Sequence, residues 1–313
     1  MIRKLLYTTS VLCAIVLMTA CSEDKLDEKS VISVGTTQEN EFDRWLNLNY
    51  VSPYNIVFKY KYEEIESDVN YYTVPADYNC SVKMAHLLKY LCVEAYDEVA
   101  GVEFTRSYFP KMFFLIGEWE YRNNGTFILG TAEGGKKILL SGINYIDPIL
   151  QGQTSSGSMR FEFGNDVALN LNHYYIKTIH HEFVHIVNQT RPYSTEFKQI
   201  TGADYVADSW SEEPHDVDFL KRGFITAYSQ HSDTEDFAEM ASEYIVEPEE
   251  TWNKWMLEAG DEGKAKLDQK LEIVKDYYLN TWNVDLDKMR RAVHRRQADV
   301  VAGKVSLTDL TVE

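Results

Sequence analysis

Residues 181–185 read His181-Glu182-Phe183-Val184-His185, two imidazoles four positions apart with a carboxylate between them. On an α-helix, positions four apart lie about 40° from being in line, so both rings can reach one metal ion, and Glu182 stands about 100° round, beside a water that such an ion would hold. Two nitrogen ligands and an adjacent base are the starting set for metal-assisted hydrolysis. The helix is expected independently of the motif. From Tyr174 to Gln189 the apolar residues Ile176, Ile179, Phe183 and Ile186 recur at three- and four-residue steps, and neither Gly nor Pro interrupts the run before Pro192.

A catalytic zinc site takes three protein ligands and keeps a fourth position open, so a third donor is needed. The segment Tyr228-Ser-Gln-His231-Ser-Asp-Thr-Glu235-Asp-Phe-Ala-Glu239 supplies the candidates. Ser232 and Asp233 are good N-cap residues, and Phe237, Met240, Ala241 and Tyr244 form an apolar helical stripe behind them. Glu235 and Glu239 then share the other face. Glu235 is placed to bind the metal, and Glu239 to accept the free ring N–H of a ligating histidine, fixing its tautomer. His180 sits about 100° off the ligand face, where it caps, packs or meets solvent. His231, four residues ahead of Glu235, is a candidate for positioning substrate.

The segment from Tyr228 to Glu239 resembles the gluzincin-type catalytic domain of anthrax lethal factor, in which a tyrosine precedes the glutamate ligand by seven residues and Phe-Ala-Glu follows it. Over nearly all of the mature chain, phrases such as Asp43-Arg-Trp45-Leu-Asn-Leu-Asn-Tyr50, Pro53-Tyr-Asn-Ile56, Gly130-Thr-Ala-Glu-Gly-Gly135 and Glu235-Asp-Phe-Ala-Glu239 are similar to the zinc metallohydrolase lipoproteins linked to substrate import in Gram-negative anaerobes. The resemblance implies zinc bound by His181, His185 and Glu235, Glu182 as general base and Tyr228 as donor to a developing oxyanion. It also implies a zincin-like α+β fold, with a mixed sheet packed on the HExxH helix and a helical C-terminal lobe. The function expected is a surface-anchored zinc metallopeptidase acting on proteins, peptides or glycopeptides and linked to nutrient import. The competing expectation is a non-catalytic substrate-binding lipoprotein accessory to an outer-membrane importer; against it, a purely structural zinc site has no use for Glu182 and is closed by four ligands.

The N-terminus places the chain outside the cytoplasm. Arg3 and Lys4 precede an apolar run from Val11 to Met18 and then Thr19-Ala20-Cys21, a secretory signal over residues 1–20 that is too short for an ordinary membrane span. Its end resembles a bacterial lipobox, with Met18 where Leu is usual, so Cys21 is the expected lipidation site and residues 21–38 a polar tether. The acidic Ser22-Glu23-Asp24 behind it resembles the runs that accompany surface export, pointing to an outer-membrane lipoprotein facing outward. Without Arg3 and Lys4 the mature chain carries 29 basic against 49 acidic side chains, a net charge of −20. That balance excludes nucleic acid and anionic membrane surfaces as partners; the membrane is reached through the lipid anchor alone. The cluster Arg290, Arg291, Arg295 and Arg296 reads as the solvated face of an amphipathic helix. An exported protein permits a Cys80–Cys92 disulfide, although Cys92 falls in a helical pattern.

About 290 mature residues, 44% of the chain being hydrophobic, can bury one large core or two modest ones. One domain over 39–313 is expected, an α/β lobe to about 190 and a helical lobe from about 191. Helices are predicted over Glu41–Leu48 and Lys83–Val99, and strands over Tyr54–Tyr60, Met112–Ile116, Thr126–Leu129 and Ile138–Leu140. Lys136–Ile143 or Arg160–Phe163 would supply the edge strand along the cleft, and the aromatic, acidic loop Tyr205–Asp218 would shape its specificity. Beyond Glu250, Leu267, Leu271, Val274 and Tyr278 mark one helix, and a last one is predicted from about Leu286 to Val301.

Overall fold

A computed structural model describes residues 39–66, 71, 73–121, 127–133, 136–153, 164–212 and 218–312. Cys21, the signal segment and the Arg160–Phe163 alternative lie outside the described residues. Residues 40–313 form one compact unit. It is a mixed α+β fold, mostly helical, around a small mixed sheet.

The sheet runs β1 (Val57–Lys59), β2 (Met112–Leu115), β6 (Lys137–Leu140) and β5 (Gly130–Glu133) in that spatial order, and a separate two-stranded ribbon joins β3 (Glu120–Tyr121) to β4 (Phe127–Ile128). The first three strands of the sheet are mutually parallel, and β5 returns antiparallel to β6, with Gly130 opposite Leu140. Phe113, Phe114 and Leu115 of β2 are fully buried, as are Ile138 and Leu140 of β6. Such unbroken apolar runs belong to strands covered on both faces. The expectation that Lys136–Ile143 forms the cleft edge is therefore corrected: β6 is interior, and β5 is the edge beside the motif helix. Gly130 is what permits this approach, because a Cβ there would lie 2.8 Å from Thr178 Cγ2 and 2.7 Å from the Leu139 carbonyl oxygen.

The longer helices before the site are α1 (Glu41–Leu46), α2 (Tyr78–Leu88), α3 (Glu94–Ala100) and α4 (Val102–Tyr108). Those that carry and back the site are α5 (Lys177–Thr190), α6 (Asp233–Val246), α7 (Glu249–Glu258), α8 (Gly260–Trp282) and α9 (Leu286–Val301). Three of the expected helices contain wider π-type turns: Asn47–Val51 after α1, Lys89–Val93 between α2 and α3, and Asn172–Ile176 leading into α5. Such turns insert a residue without ending the helix and recur near functional sites. After Arg191 the described residues hold helices and turns but no strand. No described helix is long and apolar enough to cross a membrane.

Two other expectations are corrected. Cys80 and Cys92 are buried free thiols. They lie on one nearly continuous helical run, about 18 Å apart at 1.5 Å per residue, far beyond the roughly 7 Å limit between bridged Cα atoms. The arginines of α9 are also not a merely solvated face. Arg296 pairs with Glu94 at 2.9 Å and Glu98 at 3.1 Å and lies 4.8 Å from the Tyr90 ring centre, while Arg290 stands over Tyr244 and Trp252. These contacts fix α9 against α3, the end of α6 and the start of α7.

Candidate metal centre

α5 is held by its apolar side. Ile179, Phe183, Val184 and Val187 are fully buried, and Phe183 packs edge-on against Tyr96 and Phe109. His180 belongs to this side: it is fully buried, its Nδ1 is 3.0 Å from the Tyr96 hydroxyl, and burial pushes its pKa down to about 3. It packs and has no part in the site. The opposite face presents Lys177, His181, His185 and Asn188 to α6 and to a cleft of about 860 Å³.

α6 begins where Ser232 caps it, its hydroxyl accepting from the backbone N–H of Glu235 at 3.3 Å. Phe237, Met240 and Ala241 are buried behind it, which leaves Glu235 and Glu239 facing α5. The two helices meet antiparallel: His185 faces Glu235, His181 faces Glu235 and Glu239, and Lys177 faces Glu239 and Glu243. Four-residue spacing on both helices makes these contacts a ladder.

Its central rung is a triangle of donors. His181 Nε2 lies 3.0 Å from Glu235 Oε2, His185 Nε2 lies 3.2 Å from the same oxygen, and the two Nε2 atoms are 3.1 Å apart. Two imidazole lone pairs so close to each other and to a carboxylate oxygen repel unless a proton or a metal ion lies among them. Burial disfavours a charged His181, yet Glu235 and Glu239 outweigh it and push the ring's pKa up to about 10. Burial would likewise raise Glu235, but His181 and His185 keep its carboxyl well below the usual range. Neighbouring donors about 2.0–2.2 Å from a tetrahedral zinc ion are about 3.3–3.6 Å apart, only slightly wider than the triangle seen. Among the described residues this is the one convergence of three His, Cys, Asp or Glu donors suited to a metal. With two nitrogens, one oxygen and a fourth side open to the cleft, the set fits zinc in its catalytic arrangement.

Glu239 Oε1 is 2.8 Å from His181 Nδ1, and Glu239 also receives a 2.8 Å bond from the Thr226 hydroxyl. Burial opposes its charge, but Lys177, His181 and Thr226 hold it well below the usual carboxylate range. Glu182 lines the cleft beside the donors. Tyr228 lines it too, its ring 6.0 Å from that of His181. Burial and the surrounding Glu235, Glu239 and Glu182 raise that phenol, so it stays a donor. His231 stacks parallel to Tyr228 at 5.8 Å, outside the donor triangle.

Several site residues escaped the sequence reading. Lys177, whose Nζ lies 3.2–3.4 Å from Glu239 and Glu243, is signalled only by its position four residues before His181. Thr226 also bonds Ser229, fixing the turn that carries Tyr228. Trp210, within the expected specificity loop, meets the Tyr228 ring edge-on at 5.1 Å and lines the cleft. Tyr193 stacks on Phe237 at 4.0 Å and donates to Asp233. Behind Glu235, fully buried Asp236 meets fully buried Lys270 at 2.5 Å and accepts from Tyr205 at 2.8 Å, which locks the start of α6 to α8.

Residues 35–287 match the model of a family described as "putative zinc-binding metallo-peptidase". A crystal structure of a Bacteroides caccae protein, described in the same words, superposes with a TM-score of 0.71 at 37% sequence identity, covering 90% of this chain and 100% of that one. No curated protein matches the chain.

Proposed function

Since the chain belongs to this zinc-binding metallo-peptidase family, we propose that it is a zinc-dependent peptidase that cleaves extended peptide or glycopeptide segments in the cleft between β5 and α5. The observation that carries this is the three-donor triangle with Glu182 beside it and one side open. His181, His185 and Glu235 would hold the ion. When bound, zinc supplies a Lewis acid that lowers the pKa of water and polarises the scissile carbonyl. Glu182 takes the proton of the attacking water and delivers it to the leaving nitrogen. The Tyr228 phenol donates to the oxyanion as charge develops there. Glu239, clamped by Lys177 and Thr226, holds the His181 ring in place.

The substrate enters as an added strand. β5 pairs with β6 along one edge, and Gly130 and Thr131 line the cleft, so their backbone can bond an extended chain. Phe127, Ile128, Leu129 and Trp210 give the same cleft apolar walls. The Cys21 leader argues for anchoring at the outer membrane, facing outward, and the resemblance to import-linked lipoproteins argues for a role in nutrient uptake.

The test is metal content and turnover of the mature chain and of Glu182→Gln. Wild type is expected to hold one zinc per chain and to cleave members of a peptide library, and the variant to keep the zinc while losing about 10²–10⁴ in rate. A zinc-loaded wild type that cleaves no peptide or glycopeptide, or a Glu182→Gln variant as active as wild type, refutes the proposal.

A further inference from the structure

Asn188 continues the ligand-bearing face of α5. It lies seven residues past His181, about 20° from it around the helix, and three past His185, so it sits on the same face one turn beyond them. Each earlier rung finds its partner on α6. Because the helices are antiparallel, the partner of Asn188 would fall at about residue 231 or 232, and α6 starts only at Asp233. The rung opens instead into the cleft, which Asn188 lines together with Gln189, Pro192, Tyr193, Asp233 and Thr234.

Both polar atoms of the Asn188 side chain, Oδ1 and Nδ2, are buried and have no hydrogen-bond partner among the described residues. A buried primary amide with neither donor nor acceptor satisfied lowers stability, and such a group calls for a specific explanation. Its neighbours on the same face all have assigned work: His181 and His185 in the donor triangle, Lys177 between two carboxylates. A carboxamide offers one acceptor and two donors in a plane, which is the complement of a peptide unit's N–H and C=O.

We infer that Asn188 is a substrate-binding residue that pairs with a backbone amide of the peptide on the His185 side of the scissile bond. This rests on the peptidase reading above and adds to it how the cleft tells a peptide from other acyl compounds. The bond formed on binding satisfies an amide that the free protein leaves unpaired, so binding and stability respond to its removal in opposite directions.

The experiment compares the zinc-loaded full mature chain with Asn188→Leu, a near-isostere without polar atoms, using two probes. Acetohydroxamate reaches only the metal; a leucyl-alanyl hydroxamate adds a backbone amide on one side of it. The expected result is an affinity for the peptide hydroxamate about tenfold lower in Asn188→Leu, with acetohydroxamate affinity, zinc content and thermal midpoint equal to or above wild type. Asn188→Asp, which keeps an acceptor but loses the donors, is expected to fall between the two. Equal affinity of wild type and Asn188→Leu for the peptide hydroxamate overturns the inference while leaving the peptidase reading intact. A parallel loss for both probes, or loss of zinc or thermal stability, overturns it in favour of a structural role. Failure of the zinc-loaded wild type to bind either hydroxamate removes the peptidase reading, and the inference with it.

Discussion

Lys177 lies between two buried carboxylates, Glu239 and Glu243, and Lys177→Met tests whether it holds the ligand face together. Its Nζ lies 3.2 Å from Glu239 Oε2 and 3.4 Å from Glu243 Oε1, and the three side chains are 16%, 2% and 8% exposed. Methionine keeps the length and volume but leaves the carboxylates unpaired. Removing one partner of a buried ion pair costs roughly 3–5 kcal/mol. At this chain length that corresponds to a thermal midpoint about 5–9 °C lower. The loss should depend on pH. Burial already raises Glu243 above its ordinary value despite Lys177, with Glu239 and Glu247 pushing the same way. Without the lysine its folded pKa rises further above the unfolded value. The folded state then binds more protons than the unfolded state between those two values, so stability falls as pH rises through that window. Because Glu243 is already pushed up to about 8 with the lysine in place, the deficit of Lys177→Met against wild type is expected to be larger at about pH 9.5 than at about pH 7, and Glu243→Gln in the same chain should recover part of it. Denaturant titrations of the metal-free proteins at both pH values measure this without interference from zinc. A deficit under 1 kcal/mol, or one equal at the two pH values, would refute the view that Lys177 neutralises buried charge.

The remaining expectations concern the centre itself. Glu235→Gln removes the anionic donor of the triangle, so zinc per chain after dialysis is expected to fall from one towards zero, and the thermal midpoint should no longer rise when zinc is added; metal analysis and a melting scan check both. Tyr228→Phe keeps the ring stacked on His231 and edge-on to Trp210 but deletes the phenol, so kcat is expected to drop about 10²–10³ with zinc content unchanged. An unchanged kcat would return Tyr228 to a packing role.

What could be read from the chain was whatever repeats at helical spacing. The stripe Ile179, Phe183 and Ile186 gave α5, Ser232 gave the start of α6, and the faces left over gave His181, His185, Glu235 and Glu239. The wide turn at Asn172–Ile176 was not legible, because an inserted residue leaves Tyr174, Tyr175 and Ile176 buried much as a regular helix would. The edge strand was misassigned for a related reason. Ile138-Leu139-Leu140 announces a strand, but edge or interior is decided by pairing with Phe113 and Ala132 elsewhere in the chain. Gly130, a poor strand former, is at the true edge because only glycine lets Thr178 come so close.

Charge was the least legible property. α6 carries Asp233, Glu235, Asp236, Glu239 and Glu243, and in a chain this acidic that density looks like a solvated helix. Yet Asp236, Glu239 and Glu243 are buried, and their partners Lys270 and Lys177 stand 34, 62 and 66 positions away in sequence. One regularity does distinguish the cases. Glu235, Glu239, Glu243 and Glu247 repeat every four residues, as do Lys177, His181 and His185 on the facing helix. A solvated face needs no such register, whereas two antiparallel helices that neutralise each other's charges require it, because each rung must meet a partner. On that argument the break in register at Asn188, where α5 goes on after α6 has ended, is the point at which the protein stops bonding to itself and is free to bond to something else.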